Sequence, residues 1–487
     1  MSSNAPDGLE HEKAYDLLVI GGGVGGLSTL YYWLKAHDEK GLGNPPRAAL
    51  LEKAGVLGGK IQTHRLPLGN GDQCLLEAGP DSVLVKKPDA LHLMQELGLG
   101  DQLIQTSGQA KELSVYDGKE IKQFPKQCIL GIPASPDALQ LSELLSDNAK
   151  AIAALEPLAQ TEAGDSDISV GAFLENRFGK EFVDAQVEPL LAGIFSADIY
   201  EQSLNTTLPE LRLMLEKHGS LMKGAKAALE NQRAGASAFV SLRYGMSGLI
   251  DALGVRLSRH VHTNVHVVSV EPQADGMLAV HMRDGSCMFA QRVVVTTPAP
   301  GAAKLFHRSL PHLASRFASF PYCDTGSVYA LYDQEALRLP ENTYGVLMRR
   351  DAPTVLNALT VTSRKFEGRS PDSTILLRAF FGGARRPDAA ALSGDELRGA
   401  VPKDIARIFG VSAQPKHCQI FRHSETAPQY TVGHLDRVAD LEKELPAGVF
   451  LAGSAYRAPG IPACIADAKS TARSMHQWLF EKNPSSP

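Results

Sequence analysis

A short apolar strand that runs straight into a glycine-rich turn and then a helix constrains this chain more than any other feature. Tyr15-Asp16-Leu17-Leu18-Val19-Ile20 leads into Gly21-Gly22-Gly23-Val24-Gly25-Gly26-Leu27, with Gly21, Gly23 and Gly26 at G-x-G-x-x-G spacing. The first glycine permits a tight turn, the second lets backbone approach a pyrophosphate, and the third lets helix pack close on strand. Phosphate then rests on the positive helix N-terminus. Arg47 to Leu51 reads as a second strand ending in Glu52, farther past the last glycine than the ~20 residues usual for this acid. The loop from Asp38 to Pro46, rich in Gly, Pro and charge, absorbs the difference. Glu52 is then placed to accept a ribose hydroxyl.

At 487 residues the chain predicts two or three domains with ample core. A net charge of −5 with no basic stripe argues against a nucleic-acid partner. The six cysteines are scattered without a C-x-x-C pair, which predicts neither a zinc site nor a disulfide framework and points to a reducing compartment. Met1 to Lys13 is polar and acidic without the apolar core of a signal peptide, and no uncharged run reaches the ~18 residues of a membrane span. The expected location is cytoplasmic, with any membrane contact peripheral.

Leu57-Gly58-Gly59-Lys60-Ile61-Gln62-Thr63 reads either as backbone wrapping a cofactor or as an ordinary loop. Leu75 to Ser82 is a strand stopping at Gly79-Pro80, and Pro88 to Leu97 a helix closed by Gly98. Strands at Glu112 to Tyr116 and Glu120 to Phe124 are joined by the hairpin signal Asp117-Gly118. From Ser135 to Glu230 the periodicity is helical, marking an insertion in which Glu188 to Asp198 reads as a buried helix junction. Strands return at Val265 to Val270, Met277 to Met282 and Arg292 to Thr296, with a hairpin at Asp284-Gly285, and a strand-rich portion runs from Gly326 to Phe381. Val449 to Ser454 is a strand entering a glycine turn. Ile461-Pro462-Ala463-Cys464 then opens a helix reaching about Phe480. A fingerprint at one end and a second strand-glycine-helix unit at the other imply one cofactor held by distant segments, which suits FAD better than a nicotinamide.

Later blocks are narrower. Gly79-Pro-Asp-Ser82, Leu130-Gly-Ile-Pro133, Glu188-Pro-Leu-Leu-Ala-Gly193, Glu216-Lys-His-Gly-Ser-Leu221, Gly345-Val-Leu347, Gly382-Gly-Ala-Arg385, Pro428-Gln-Tyr430, Gly433-His434, Leu451 to Arg457 and Gly460 to Ile465 together resemble the FAD-dependent, oxygen-utilising protoporphyrinogen oxidase family. That family includes a coproporphyrinogen-oxidising bacterial branch within the flavin amine oxidase superfamily. The resemblance runs from Tyr15 to Phe480. It implies a mixed α/β fold with a Rossmann-like FAD domain, an amine-oxidase-like substrate sheet and a helical insertion. The implied division is FAD segments at 13–88, 238–302 and 435–481, substrate-domain strands at 108–130 and 303–434, and the helical insertion at 131–237. The implied activity is oxidation of a porphyrinogen in three two-electron rounds, with hydride equivalents passing through flavin to O2 as peroxide. The protein orients substrate and shapes the flavin's electrostatics. A helix N-terminus at Gly460 to Cys464 would stabilise negative charge on reduced flavin.

By the same resemblance Gly21, Gly23, Gly26, Glu52, Lys53, Gly59, Lys60, Gly79, Pro80, Asp81 and Ser82 contact FAD, Val267 does so through backbone, and Gly453, Ile461 and Pro462 close over it. Gly193, Leu347 and Phe380 hold the porphyrinogen, with no side-chain base assigned. An apolar slot with few polar anchors suits a flat macrocycle. Three departures bear on substrate: Glu112 stands where relatives often carry a propionate-pairing arginine, Thr360 where an aliphatic contact is common, and Ser196-Ala197 where a pair usually includes glycine. Lys111, Lys126, Arg349 and Arg457 are alternative anchors, each weighed against a plain solvated charge. Glu143, Asp147, Glu156, Glu162, Asp165 and Asp167 make the insertion acidic, which predicts weak attachment at most to an anionic membrane. His260, His262 and His266 share a parity but no cysteine supports a metal there. His434 is expected to make a structural hydrogen bond, and the Asn205-Thr-Thr207 sequon is without meaning in a cytosolic chain. A monomer or homodimer is expected. The competing readings are a flavin oxidase acting on amines and a non-catalytic FAD-binding homologue.

Overall fold

The computed structural model describes residues 14–41, 45–69, 71–159, 164, 166–231, 237–457 and 459–482. The Met1 to Lys13 segment, part of the Asp38 to Pro46 loop, and Glu162 and Asp165 lie outside the described residues.

The leading strand forms as Leu17–Ile20 and pairs in parallel with Ala48–Leu51 on one side and Val293–Val295 on the other. Val261–His262 and Val449–Leu451 extend the two edges, so one five-stranded parallel sheet is assembled from widely separated stretches. Its three inner strands are unbroken apolar runs because both faces are covered. Leu18, Ile20, Ala49 and Leu51 enter one core, while Leu17, Val19, Ala48 and Leu50 enter the other. The Val24–Glu39 helix leaves the glycine turn and packs along the terminal Ile461–Lys482 helix. There Trp33 stacks on His476 with ring centroids 5.6 Å apart. The antiparallel strands Val267–Pro272, Leu278–Met282 and Cys287–Ala290 turn where Asp284-Gly285 predicts.

A second sheet has seven strands, in the order His417–Pro428, Tyr322–Asp333, Thr374–Gly382, Leu356–Val361, Thr343–Met348, Glu112–Tyr116 and Ile121–Gln123. Successive residues of the Tyr322–Asp333 strand face opposite sides of this sheet. Val328, Ala330 and Tyr332 face a core capped by the Gly394–Phe409 helix, and Tyr329 and Leu331 face the other way. The Asp117-Gly118 hairpin forms as expected, with Gly118 at φ +99°. The His417–Pro428 strand was not anticipated. It is a twelve-residue edge strand whose sequence, HCQIFRHSETAP, carries polar residues on both faces and so lacks the alternation that identifies a strand.

The described residues between Ser135 and Glu230 are mainly helical, with Val170–Phe178, Glu188–Phe195, Pro209–His218 and Leu221–Glu230 as the longer helices. This layer lies on the seven-stranded sheet, where Val115, Leu347 and Ala358 share a core with Phe182, Leu191 and Leu211.

Candidate active site

The three fingerprint glycines are required for three different reasons. Gly21 has φ +112°, and a Cβ there would lie 2.7 Å from Thr296 Oγ1. A Cβ on Gly26 would meet the Gly21 carbonyl oxygen at 2.0 Å, so the helix seats on the turn only as glycine. Gly23 is the opposite case, because nothing lies within 4 Å of its Cβ position at the helix N-terminus. Glu52 Oε2 accepts the Gly22 amide at 2.7 Å and Oε1 accepts the Ala54 amide at 2.7 Å. Each oxygen has a second lone pair, so the carboxylate holds the turn and retains capacity for a ribose hydroxyl. Lys53, between them, is exposed. Gly59 sits at φ +57° beside Gly23, and Gly58 bridges Gly23 in parallel. Thr297, next to Gly21, has a buried Oγ1 with no hydrogen-bond partner among the described residues. An open helix end, a braced acid and an orphaned hydroxyl fit a bound dinucleotide.

The far end of the chain closes on the same place. The Cβ position of Gly25 is 3.2 Å from Gly453 Cα, and Gly453 is at φ +98°. Its amide donates to Asp467 Oδ2 at 2.8 Å, and Asp467 Oδ1 accepts Arg457 Nε at 3.0 Å. Arg457 also pairs with Glu442, so it clamps this turn to the terminal helix. Ile461 and Pro462 open that helix, both buried. Lys60 donates its Nζ to the Thr426 carbonyl, and burial lowers its pKa. Burial pushes the nearby Cys464 thiol up to about 12. Val267 is buried at the start of its strand, against a bulge before Ser269.

The substrate-side residues come together from different elements. Leu347, Ala358 and Phe380 are consecutive cross-strand partners, forming one row on one face of the seven-stranded sheet. A Cβ on Gly193 would stand 3.3 Å from Leu347 Cδ2 and 3.9 Å from Ala358 Cβ, so the helical layer meets this row where it has no side chain. Thr360 lies in the next row, paired with Gly345 and Arg378.

Between the two sides, Gly79 is held against Lys60, whose carbonyl oxygen would be 2.0 Å from an added Cβ. The Asp81 carboxylate accepts Lys365 Nζ at 2.8 and 2.9 Å and the Ser82 hydroxyl at 2.6 Å. Burial alone would raise the Asp81 pKa, but Lys365 and Arg378 outweigh it and hold it well below the usual range. Tyr329 Oη accepts the Glu77 amide at 3.0 Å and donates to the Glu77 carbonyl at 3.1 Å. His423, whose pKa burial lowers, bonds the Ala78 carbonyl at 2.9 Å. Sequence reasoning missed Tyr329, Lys365, Arg378 and His423. The available signal was Arg378, a cation inside the apolar strand Thr374-Ile-Leu-Leu-Arg-Ala-Phe-Phe-Gly382.

The alternative anchors fare differently. Lys126 pairs with Glu112 at 3.2 Å and Arg349 with Asp351 at 2.9 Å. Lys111 is exposed and has no carboxylate partner among the described residues. Ser196 adopts φ +54°, a left-handed conformation that explains why glycine suits this pair. His434 makes a structural hydrogen bond as expected, Nε2 to the Tyr456 carbonyl at 2.5 Å. His260 Nδ1 lies 2.9 Å from the Ala48 carbonyl, and no group of three metal-ligating side chains occurs among the described residues. Two surface cavities of about 660 and 830 Å³ are lined by none of the expected site residues. No described helix is long and apolar enough to cross a membrane.

A dinucleotide cradle closed by a distant glycine turn, set beside a sheet roofed by helices, defines a flavoenzyme. The chain belongs to the flavin containing amine oxidoreductase family, whose model matches residues 39–476. Within it, the chain is 31% identical to coproporphyrinogen III oxidase of Propionibacterium freudenreichii subsp. freudenreichii, over 97% of this chain and 92% of the relative. It is 28% identical to coproporphyrinogen III oxidase of Bacillus subtilis (strain 168), over 97% and 99%. A solved structure from Exiguobacterium sp. 255-15, provisionally named protoporphyrinogen oxidase, superposes with a TM-score of 0.83 at 29% identity, covering 96% of this chain and 99% of that one.

Proposed function

We propose that the chain is an FAD-dependent oxidase that converts a porphyrinogen to the porphyrin in haem biosynthesis, with O2 as acceptor and H2O2 as product. The observation that carries the reading is the flat apolar row Leu347, Ala358 and Phe380, facing the side-chain-free Gly193. A planar macrocycle makes use of an apolar face of this extent, and a small amine has less need of one. FAD, when bound, supplies hydride acceptance and reoxidation by O2. Its pyrophosphate would rest over Gly23, its ribose on Glu52, with the Gly79–Ser82 turn and Lys60 alongside and Gly453, Ile461 and Pro462 closing the site. The chain's residues orient the macrocycle and exclude water; no side-chain base is assigned. The domain division that the resemblance implies is part of this proposal. Similarity to proteins named coproporphyrinogen III oxidase supports coproporphyrinogen III rather than protoporphyrinogen IX as the substrate. Any membrane contact is weak and peripheral.

The test is purified holoprotein given each porphyrinogen in turn. Porphyrin fluorescence with stoichiometric peroxide is expected, with a higher initial rate on coproporphyrinogen III. Bleaching of the flavin by amines without porphyrin would replace this reading, and bound FAD inert to both would make the chain a non-catalytic homologue.

A further inference from the structure

Behind the Gly79–Ser82 turn lies a buried cluster of five ionisable side chains. Glu77, Arg369 and Arg378 are 2%, 1% and 4% exposed, and Asp81 and Lys365 form an enclosed pair beside them. Three cations face two carboxylates. Burial raises the Glu77 pKa, which favours its neutral form and leaves the positive surplus intact or larger. A buried surplus charge is costly and calls for a partner.

One member reaches both halves of the site. Arg378 Nη2 donates to the Ala78 carbonyl at 3.2 Å and Nε to Ser327 Oγ at 3.2 Å. Its guanidinium carbon is 4.6 Å from the Phe380 ring centroid and 5.3 Å from that of Tyr329. A planar guanidinium bonds in its plane and stacks through its faces, which a lysine cannot do at once. We infer that Arg378 is a positioning residue for the flavin reaction, tying the Ala78–Ser82 turn to the substrate-side Phe380 and setting a positive charge behind that turn. This rests on the reading above that the turn faces flavin. Positive charge there favours the reduced, anionic flavin.

The experiment measures the flavin midpoint potential of the holoenzyme by dye-coupled photoreduction, without porphyrinogen. Arg378→Met keeps the apolar stem and removes charge and fork. Its potential should fall by the equivalent of at least tenfold in the two-electron equilibrium, about 30 mV. Arg378→Lys should hold the potential closer to wild type while lowering kcat on porphyrinogen about tenfold, because the fork is lost. An unchanged potential in the Met variant overturns the inference, as does a Lys variant whose potential falls as far as the Met variant's. Should the Met variant not fold, the Lys variant decides through kcat, a wild-type value overturning it. Failure of wild type to oxidise porphyrinogen removes the functional reading instead, and the potentials still judge Arg378.

Discussion

Arg385 Nε lies 3.1 Å from Glu188 Oε1, and both side chains are 1% exposed. Two sequence blocks nearly two hundred positions apart meet in that pair, one on the helical layer and one just past the end of the Thr374–Gly382 strand. Arg350 adds a half-exposed second partner to Glu188 and reaches Asp198 at 2.8 Å. Burial pushes Glu188 up and Arg385 down, each toward its neutral form in spite of the other. The pair therefore sets how the helical layer seats on the sheet more than it adds net stability.

Arg385→Met should cost about 3–5 kcal/mol in denaturant unfolding, because Glu188 is left buried without its enclosed partner. Adding Glu188→Leu should recover most of that loss. A double variant as unstable as the single one would show that the pair is a true source of stability.

Ser196 offers a gain. Its left-handed backbone (φ +54°, ψ 29°) costs a non-glycine residue about 1–2 kcal/mol, while glycine costs ~0.5–1 kcal/mol in unfolded-chain entropy. Ser196→Gly should thus raise stability by up to about 1 kcal/mol, read as a higher unfolding midpoint. The Ser196 carbonyl keeps the Ala384 amide at 3.1 Å either way. A lower midpoint would mean that the serine side chain contributes more than its backbone strain.

The glycine cradle separates folding from cofactor binding. Gly26→Ala drives a Cβ to 2.0 Å from the Gly21 carbonyl oxygen and should lower both stability and FAD content. Gly23→Ala meets nothing within 4 Å, so the apoprotein should unfold as wild type does. Its methyl group would occupy phosphate space, and FAD affinity should drop at least about tenfold, near 1.4 kcal/mol. Fluorescence titration of both apoproteins with FAD checks this, and wild-type affinity in the Gly23 variant would place the phosphates elsewhere.

Legibility followed periodicity and glycine chemistry. Leu17 to Gly26, Ala48 to Glu52 and Val449 to Gly453 were readable because buried parallel strands are continuous apolar runs and because Gly21 and Gly26 have no room for a side chain. Leu347, Phe380 and Gly193 came from resemblance alone, since their meeting depends on cross-strand register that one-dimensional pattern does not carry. Lys365 and Tyr329 stayed hidden for the same reason: their partners Asp81 and Glu77 lie hundreds of positions away. The His417–Pro428 strand was missed because an edge strand with polar residues on both faces has neither period. Charge alone makes Arg457 a candidate propionate anchor, and only the fold shows it occupied by Asp467 and Glu442.

His434 makes stability depend on pH. Burial pushes its pKa down to about 4, and its hydrogen bond to the Tyr456 carbonyl offsets only part of that shift. In the unfolded chain the ring takes its proton near ~6.5. Between those values the unfolded state binds a proton that the folded state refuses, so stability falls as pH drops through the window and is unaffected above it. The slope is ~1.4 kcal/mol per pH unit, roughly 3 kcal/mol across the window. His434→Gln retains an N–H for the Tyr456 carbonyl and does not titrate. Urea unfolding at pH 7, 6, 5 and 4 should therefore show this variant losing less stability than wild type below pH 6.5. Parallel losses in the two proteins would assign the acid sensitivity to other groups, with the carboxylates of the Asp81 cluster the next to test.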